Sequence, residues 1–170
     1  LARYRAYRKS GLDGIAPYAR SGGKVRSPGA ELRRAGEASS VIEKVMPSLY
    51  KVLLGYPKAS APKLEEAFFW SNYLAHDAPT IILTHRFFMP VGDSYGLVMR
   101  QFYVNQGYNN TQAVIAFLPV KRGTLVAYSN RTSTDQVGGF GSSSKRAIGR
   151  RVMGAQLEKL YAKLRKAAEK

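Results

Sequence analysis

The sequence predicts an α+β domain in which N-terminal helices precede an antiparallel β-meander of four or more strands, with a long C-terminal helix packed on the sheet. Three observations carry this expectation. Apolar residues recur at helical spacing through residues 1–78; the period changes to two from Thr80; and Ile148, Val152, Met153, Leu157, Leu160 and Leu164 mark an apolar stripe near the C-terminus. At 170 residues, with 45% hydrophobic and 22% charged side chains, the chain can bury a sizeable core and is not wholesale disordered. The expected organisation is one domain over 1–170, divided into a mainly helical part (1–78), the meander (79–131), a Gly/Ser loop (132–143) and the C-terminal helix (144–169).

Taken in order, Leu1 to Lys9 reads as a short basic helix, with Tyr4 and Tyr7 at i, i+3 spacing and Gly11 placed to end it. Ile15 to Arg20 adds a turn, and Gly22 to Arg26 forms a basic loop. Ser27 followed by Pro28 supplies an N-cap and a first-position proline, so a helix runs from there to about Ala38. Ser39 or Ser40 caps the next, which carries Val41, Ile42, Val45, Leu49, Val52 and Leu53 at helical spacing; Pro47 kinks or breaks it, and Tyr56-Pro57 ends it. Lys63 to Leu74 is expected to be an amphipathic helix with Phe68, Phe69 and Trp70 as core anchors. Strands follow at 80–89, 95–104, 111–118 and 124–131. A glycine-rich loop (Gly138 to Gly141) then leads to a helix from about Ser144 to Ala168.

The element order over 80–168, four strands and then a long apolar-striped helix, resembles the second half of START-like helix-grip domains. That resemblance implies a curved sheet and a C-terminal helix enclosing an apolar ligand cavity. The first half, helical where those domains begin with strand and hairpin, departs from the pattern.

A net charge of +16 makes a polyanion or an anionic surface a natural partner. The excess sits at the ends: residues 1–36 hold nine basic and two acidic side chains, residues 142–170 hold nine and two, and the middle holds nine and seven. Absence of cysteine excludes disulfides and thiolate chemistry. The densest apolar runs, Ile81 to Leu83 and Ala113 to Val120, are far shorter than the roughly 18 residues of a membrane-spanning helix. The chain opens at Leu1 inside a helix-like stretch, which suggests trimming or removal of a signal peptide and an exported, periplasmic protein.

A type II′ turn at Gly92-Asp93 would pair Leu83 with Phe102, Phe87 with Val98, Ile81 with Val104 and His85 with Arg100. With further turns at Gly107-Tyr108 and Arg122-Gly123, the same face collects Ala113, Ile115, Phe117, Val126 and Tyr128. His85, Arg100, Ile115 and Asn130 then form one row, and moving the second turn to Asn109-Asn110 leaves the faces unchanged. A histidine and an arginine on an apolar face must be hydrogen-bonded, paired or shared with an anion. His85, Arg100, Tyr128 and Asn130 are therefore the candidate ligand-binding residues, for a lipid-like amphiphile or an anion held between the sheet and the C-terminal helix. A purely structural arrangement is the competing expectation, with Arg100 bridged to Asp135, Glu65 or Glu66 and His85 bonded to a backbone carbonyl.

Other chemistry is less specified. Ser143, Ser144, Lys145 and Arg146 at a helix start are a candidate anion site, against a flexible loop with an N-cap. His76 and His85 lack the spacing of a metal pair, no serine-hydrolase elbow is present, and no cofactor motif appears. The expected function is non-catalytic binding of an amphiphilic or anionic small molecule. One alternative is a basic surface for nucleic acid or anionic membrane, with Tyr4 and Tyr7 stacking among Arg3, Arg5 and Arg8. Another is an enzyme using His85 as general base assisted by Tyr128.

Overall fold

The computed structural model describes residues 1–19, 23, 25–75, 78–134 and 142–169. It divides into two compact units, Leu1–Ser133 and Thr134–Lys170. The first contains helices α1 (Ala2–Ser10), α2 (Pro28–Glu37), α3 (Ser40–Val45) and α4 (Pro47–Gly55), a two-stranded ribbon β1 (Tyr18–Ala19) and β2 (Val25–Arg26), and strands β3 (Glu65–Ala75), β4 (Ala78–Val91), β5 (Ser94–Val104), β6 (Asn110–Val120) and β7 (Gly123–Ser133). The second contains helix α5 (Ser142–Ala168). The protein is thus α+β, and the long strands form one antiparallel sheet in the order β3-β4-β5-β6-β7. Among the described residues no helix is long and apolar enough to cross a membrane.

Local sequence signals explain most helix boundaries. Ser27 Oγ accepts from the Ala30 amide at 3.4 Å, and Pro28 opens α2. Pro47 breaks the expected continuous helix: α3 stops at Val45 and Pro47 begins α4. Gly11 ends α1 with φ 58°, and a Cβ there would lie 1.9 Å from the Tyr56 carbonyl oxygen, so only glycine lets this corner approach the end of α4.

Three expectations are corrected. Residues 65–75 form the edge strand β3, not a helix; their aromatic residues favour a pleated strand, and pairing with β4 satisfies the backbone along one side. Tyr18 and Ala19 are extended and pair with Arg26 and Val25, where a helical turn was expected. The sheet register also differs. Gly92 alone takes positive φ in its turn, as type II′ requires, and His85 pairs with Arg100 and Phe87 with Val98 as predicted. Beyond Thr84, however, Phe102 bulges out of the ladder, so Ile82 and not Ile81 faces Val104. Tyr18 stabilises this bulge, its hydroxyl accepting from the Val104 amide at 3.0 Å.

The β5 to β6 connection is longer than a two-residue turn, and Arg100 faces Gln112 instead of Ile115. That odd shift exchanges the faces of β6 and β7. Ile115 now opposes Tyr128, and Asn130 opposes Ala113. By alternation Tyr128 and Asn130 point away from the face that carries His85 and Arg100.

The His85 and Arg100 face is filled by the N-terminal helices. Met46, Leu49, Val52 and Leu53 pack on Phe87, Met89, Val98 and Val114, while Tyr7, Leu12, Ile15 and Leu32 cluster with Phe102. Gly96 lets α4 sit close to the sheet, since a Cβ there would meet Leu49 Cδ2 at 2.7 Å.

Candidate functional site

Arg100 and His85 are fully buried beneath α1 and α4. Their partners come from every layer around them. Arg100 Nε donates to Gln112 Oε1 at 2.9 Å, Nη1 to the Tyr7 hydroxyl at 3.2 Å and Nη2 to the Leu53 carbonyl at 2.5 Å. Leu53 lies in the last turn of α4, where carbonyls lack intrahelical donors and the helix dipole is negative. The guanidinium therefore caps a helix from within the core. Its carbon also stands 5.4 Å from the Phe87 ring centre.

This arrangement corrects the expected salt bridge to Glu65 or Glu66: the hydrogen-bond partners of Arg100 are neutral, and Asp135 lies outside the described residues. The Tyr7 hydroxyl accepts from Arg100 and lies 3.0 Å from His85 Nδ1; with its oxygen already serving Arg100, we assign its hydrogen to that nitrogen. The ring proton of neutral His85 then sits on Nε2, facing Glu66 Oε1 at 2.9 Å. That approach lies off the N–H direction and makes no aligned hydrogen bond. Phe68 stacks on the imidazole with centres 4.0 Å apart.

Burial is the main reason His85 is held down at about 3, reinforced by the Arg100 and Arg8 guanidinium groups. The close Glu66 carboxylate does not make it an ion pair, because the positive charge of Arg100 is one hydroxyl away and the ring is fully buried. Burial also raises the Glu66 carboxyl, with Arg8 opposing, and raises Tyr7, with Arg100 opposing. Tyr56 is pushed up to about 12, again chiefly by burial.

An apolar cleft of about 410 Å³ opens beside this network between α1 and the β3 edge, lined chiefly by Tyr4, Phe68, Phe69, Trp70, Ile81 and Leu83. Phe68 and Phe102 belong to both: they line the cleft and stack on His85 and Tyr7 respectively. Arg8 stands at the rim, its guanidinium carbon 5.8 Å from both the Tyr4 and Phe68 ring centres. A second apolar cleft, about 390 Å³, runs between α3 and strands β6 and β7, with Val114, Ala116, Leu118 and Arg131 among its lining residues.

Of the four sequence-predicted ligand residues, the structure brings His85 and Arg100 together and places the other pair on the opposite face, where Asn130 Nδ2 donates to the Tyr128 hydroxyl at 3.0 Å. The backbone of Ser143 to Arg146 lies in the first turns of α5; their side chains, the preceding glycine loop and His76 lie outside the described residues. Among the described residues no cluster could hold a metal ion. Sequence reasoning missed Tyr7, Gln112 and the Leu53 carbonyl. Tyr7 had a signal: it is an aromatic residue on an otherwise basic, weakly apolar helix, and among the α1 residues it alone is buried. Comparison with family models, curated proteins and solved structures finds no match to the chain.

Two outcomes follow from the network. Tyr7→Phe leaves an Arg100 N–H and His85 Nδ1 without a partner, and should lower unfolding free energy in urea by about 2 kcal/mol; a loss below about 0.5 kcal/mol contradicts the network. Acid should also act through His85. An unfolded histidine takes a proton near 6.5, whereas the folded ring refuses it down to about 3. Over that window the unfolded state binds the extra proton, so stability falls as pH falls. The raised Glu66 carboxyl favours the folded state on acidification and offsets part of the loss. The stability difference between wild type and His85→Gln should therefore shrink on descending that range, and a constant difference in urea titrations contradicts it.

Proposed function

We propose that the protein is a binding module for an amphiphile with an anionic headgroup, and that the apolar part of the ligand occupies the cleft between α1 and β3. The observation that carries this reading is an open, almost wholly apolar cleft with a cationic side chain, Arg8, stacked on its wall. Space beside Arg100 is a poorer locus. The guanidinium is held by Gln112, Tyr7 and Leu53, and packed side chains of α1 and α4 fill the face around it.

Nucleic-acid binding and catalysis gain less support. Tyr7 is fully buried and is no stacking platform for a base, although Arg5, Arg8 and Lys9 remain exposed for a polyanion. A His85 general base would lack its expected helper, because Tyr128 lies on the other face of the sheet.

Trp70 is the single tryptophan of the chain and lines the cleft, so its emission reports occupancy directly. Titration with monomeric lysophosphatidylglycerol should give a saturable blue shift. Ile81→Glu, a change at an exposed wall residue, should weaken binding at least about tenfold by placing a carboxylate against the ligand chain. An unshifted spectrum, or equal affinity in the variant, overturns the reading.

A further inference from the structure

The cleft is open, and apolar surface continues beyond it. Trp70 is 69% exposed and Leu74, further along the β3 edge, 73%. Trp70 belongs to the cleft wall with Phe69 and Ile81, also exposed, and by alternation Leu74 extends the face of Trp70 while the exposed Tyr73 lies on the other face of β3. One alkyl chain lying in the cleft would leave much of this surface in water, and exposed apolar area on this scale marks a contact with an extended apolar phase or a partner. Tryptophan and tyrosine suit the interfacial zone of a bilayer, where a ring can be half in hydrocarbon and half among headgroups. The charge beside the patch selects the kind of bilayer. Arg5, Arg8 and Lys9 are exposed on α1, and α1 itself carries no acidic residue. The two nearby carboxylates, Glu65 and Glu66, stand at the start of β3, away from Trp70 and Leu74.

From these observations we infer that the β3 edge and α1 form a docking face for an anionic phospholipid bilayer, with Trp70 and Leu74 entering the interface and Arg5, Arg8 and Lys9 meeting the headgroups. This inference deepens the amphiphile reading and rests on it: the lipid that enters the cleft is a component of the membrane on which the protein docks. A second copy of the chain pairing along β3 is the rival occupant, but like charges on the two α1 helices would oppose it.

The 170-residue chain is sedimented with vesicles of phosphatidylcholine alone and of phosphatidylcholine mixed with phosphatidylglycerol. Partitioning should require phosphatidylglycerol and decline as salt rises; Trp70→Ala should weaken it by about tenfold. Arg5→Gln and Arg8→Gln should each weaken it about fivefold. Trp70 and both arginines are part or wholly exposed, so circular dichroism of the variants should match wild type. Binding of monomeric lysophosphatidylglycerol without vesicle binding overturns the docking face and leaves the amphiphile reading intact; loss of both overturns both. Vesicle binding that is unchanged in Trp70→Ala assigns the contact to another basic surface and overturns the inference. So does a lipid-free blue shift of Trp70 that grows with protein concentration, which would identify a second copy as the occupant.

Discussion

Arg100 places a permanent positive charge on the sheet face beneath α1 and α4, beyond the reach of solvent. A charge so placed costs several kcal/mol unless its donors are met, and among the described residues no carboxylate hydrogen-bonds to it. What meets it is a set of neutral acceptors drawn from separate elements: a glutamine from the neighbouring strand, a hydroxyl from α1 and the carbonyl of Leu53 in the last turn of α4. Each acceptor is correct only when its element sits in one position. The polar requirement of one side chain therefore fixes where two helices lie on the sheet, with a directional demand that apolar packing by itself does not impose.

The same constraint shapes the surface. Tyr7 is drawn inward to serve Arg100 and His85, which turns the exposed cations of α1 outward and sets Tyr4 against Phe68 at the cleft wall. Phe68 joins interior to exterior, stacking on the buried imidazole with one face and lining the cleft. The core and the proposed binding surface are in this sense one structure, and a change that releases Tyr7 would disturb both. The neutral state of His85 follows as well, since a second positive charge beside Arg100 in a dry site is strongly disfavoured.

Much of this was legible in the sequence, unevenly. Period-two alternation from Thr80 identified the meander, and Gly92-Asp93 fixed the pairing of His85 with Arg100, because a two-residue turn leaves no freedom in register. Segment 65–75 was not legible: a short aromatic run fits a helix stripe or an edge strand equally well, and only pairing with β4 decides between them. The faces of Tyr128 and Asn130 depended on the length of the connection between Val104 and Asn110, and an error of one residue there inverts everything downstream. The need for a partner at Arg100 was visible, but its identity was not. Gln112 faces it only in the true register, and a main-chain carbonyl such as that of Leu53 leaves no mark in a sequence.

The protonation of His85 tests the central claim most directly, because the tautomer reports the direction of both hydrogen bonds of Tyr7. Ring nitrogen NMR of the wild-type protein should find neutral imidazole with the proton on Nε2 and Nδ1 acting as acceptor, unchanged from about pH 7 to about pH 4. A ring protonated on Nδ1, or an imidazolium already formed near about pH 6, would mean that Tyr7 does not donate to a neutral His85 and would contradict the account.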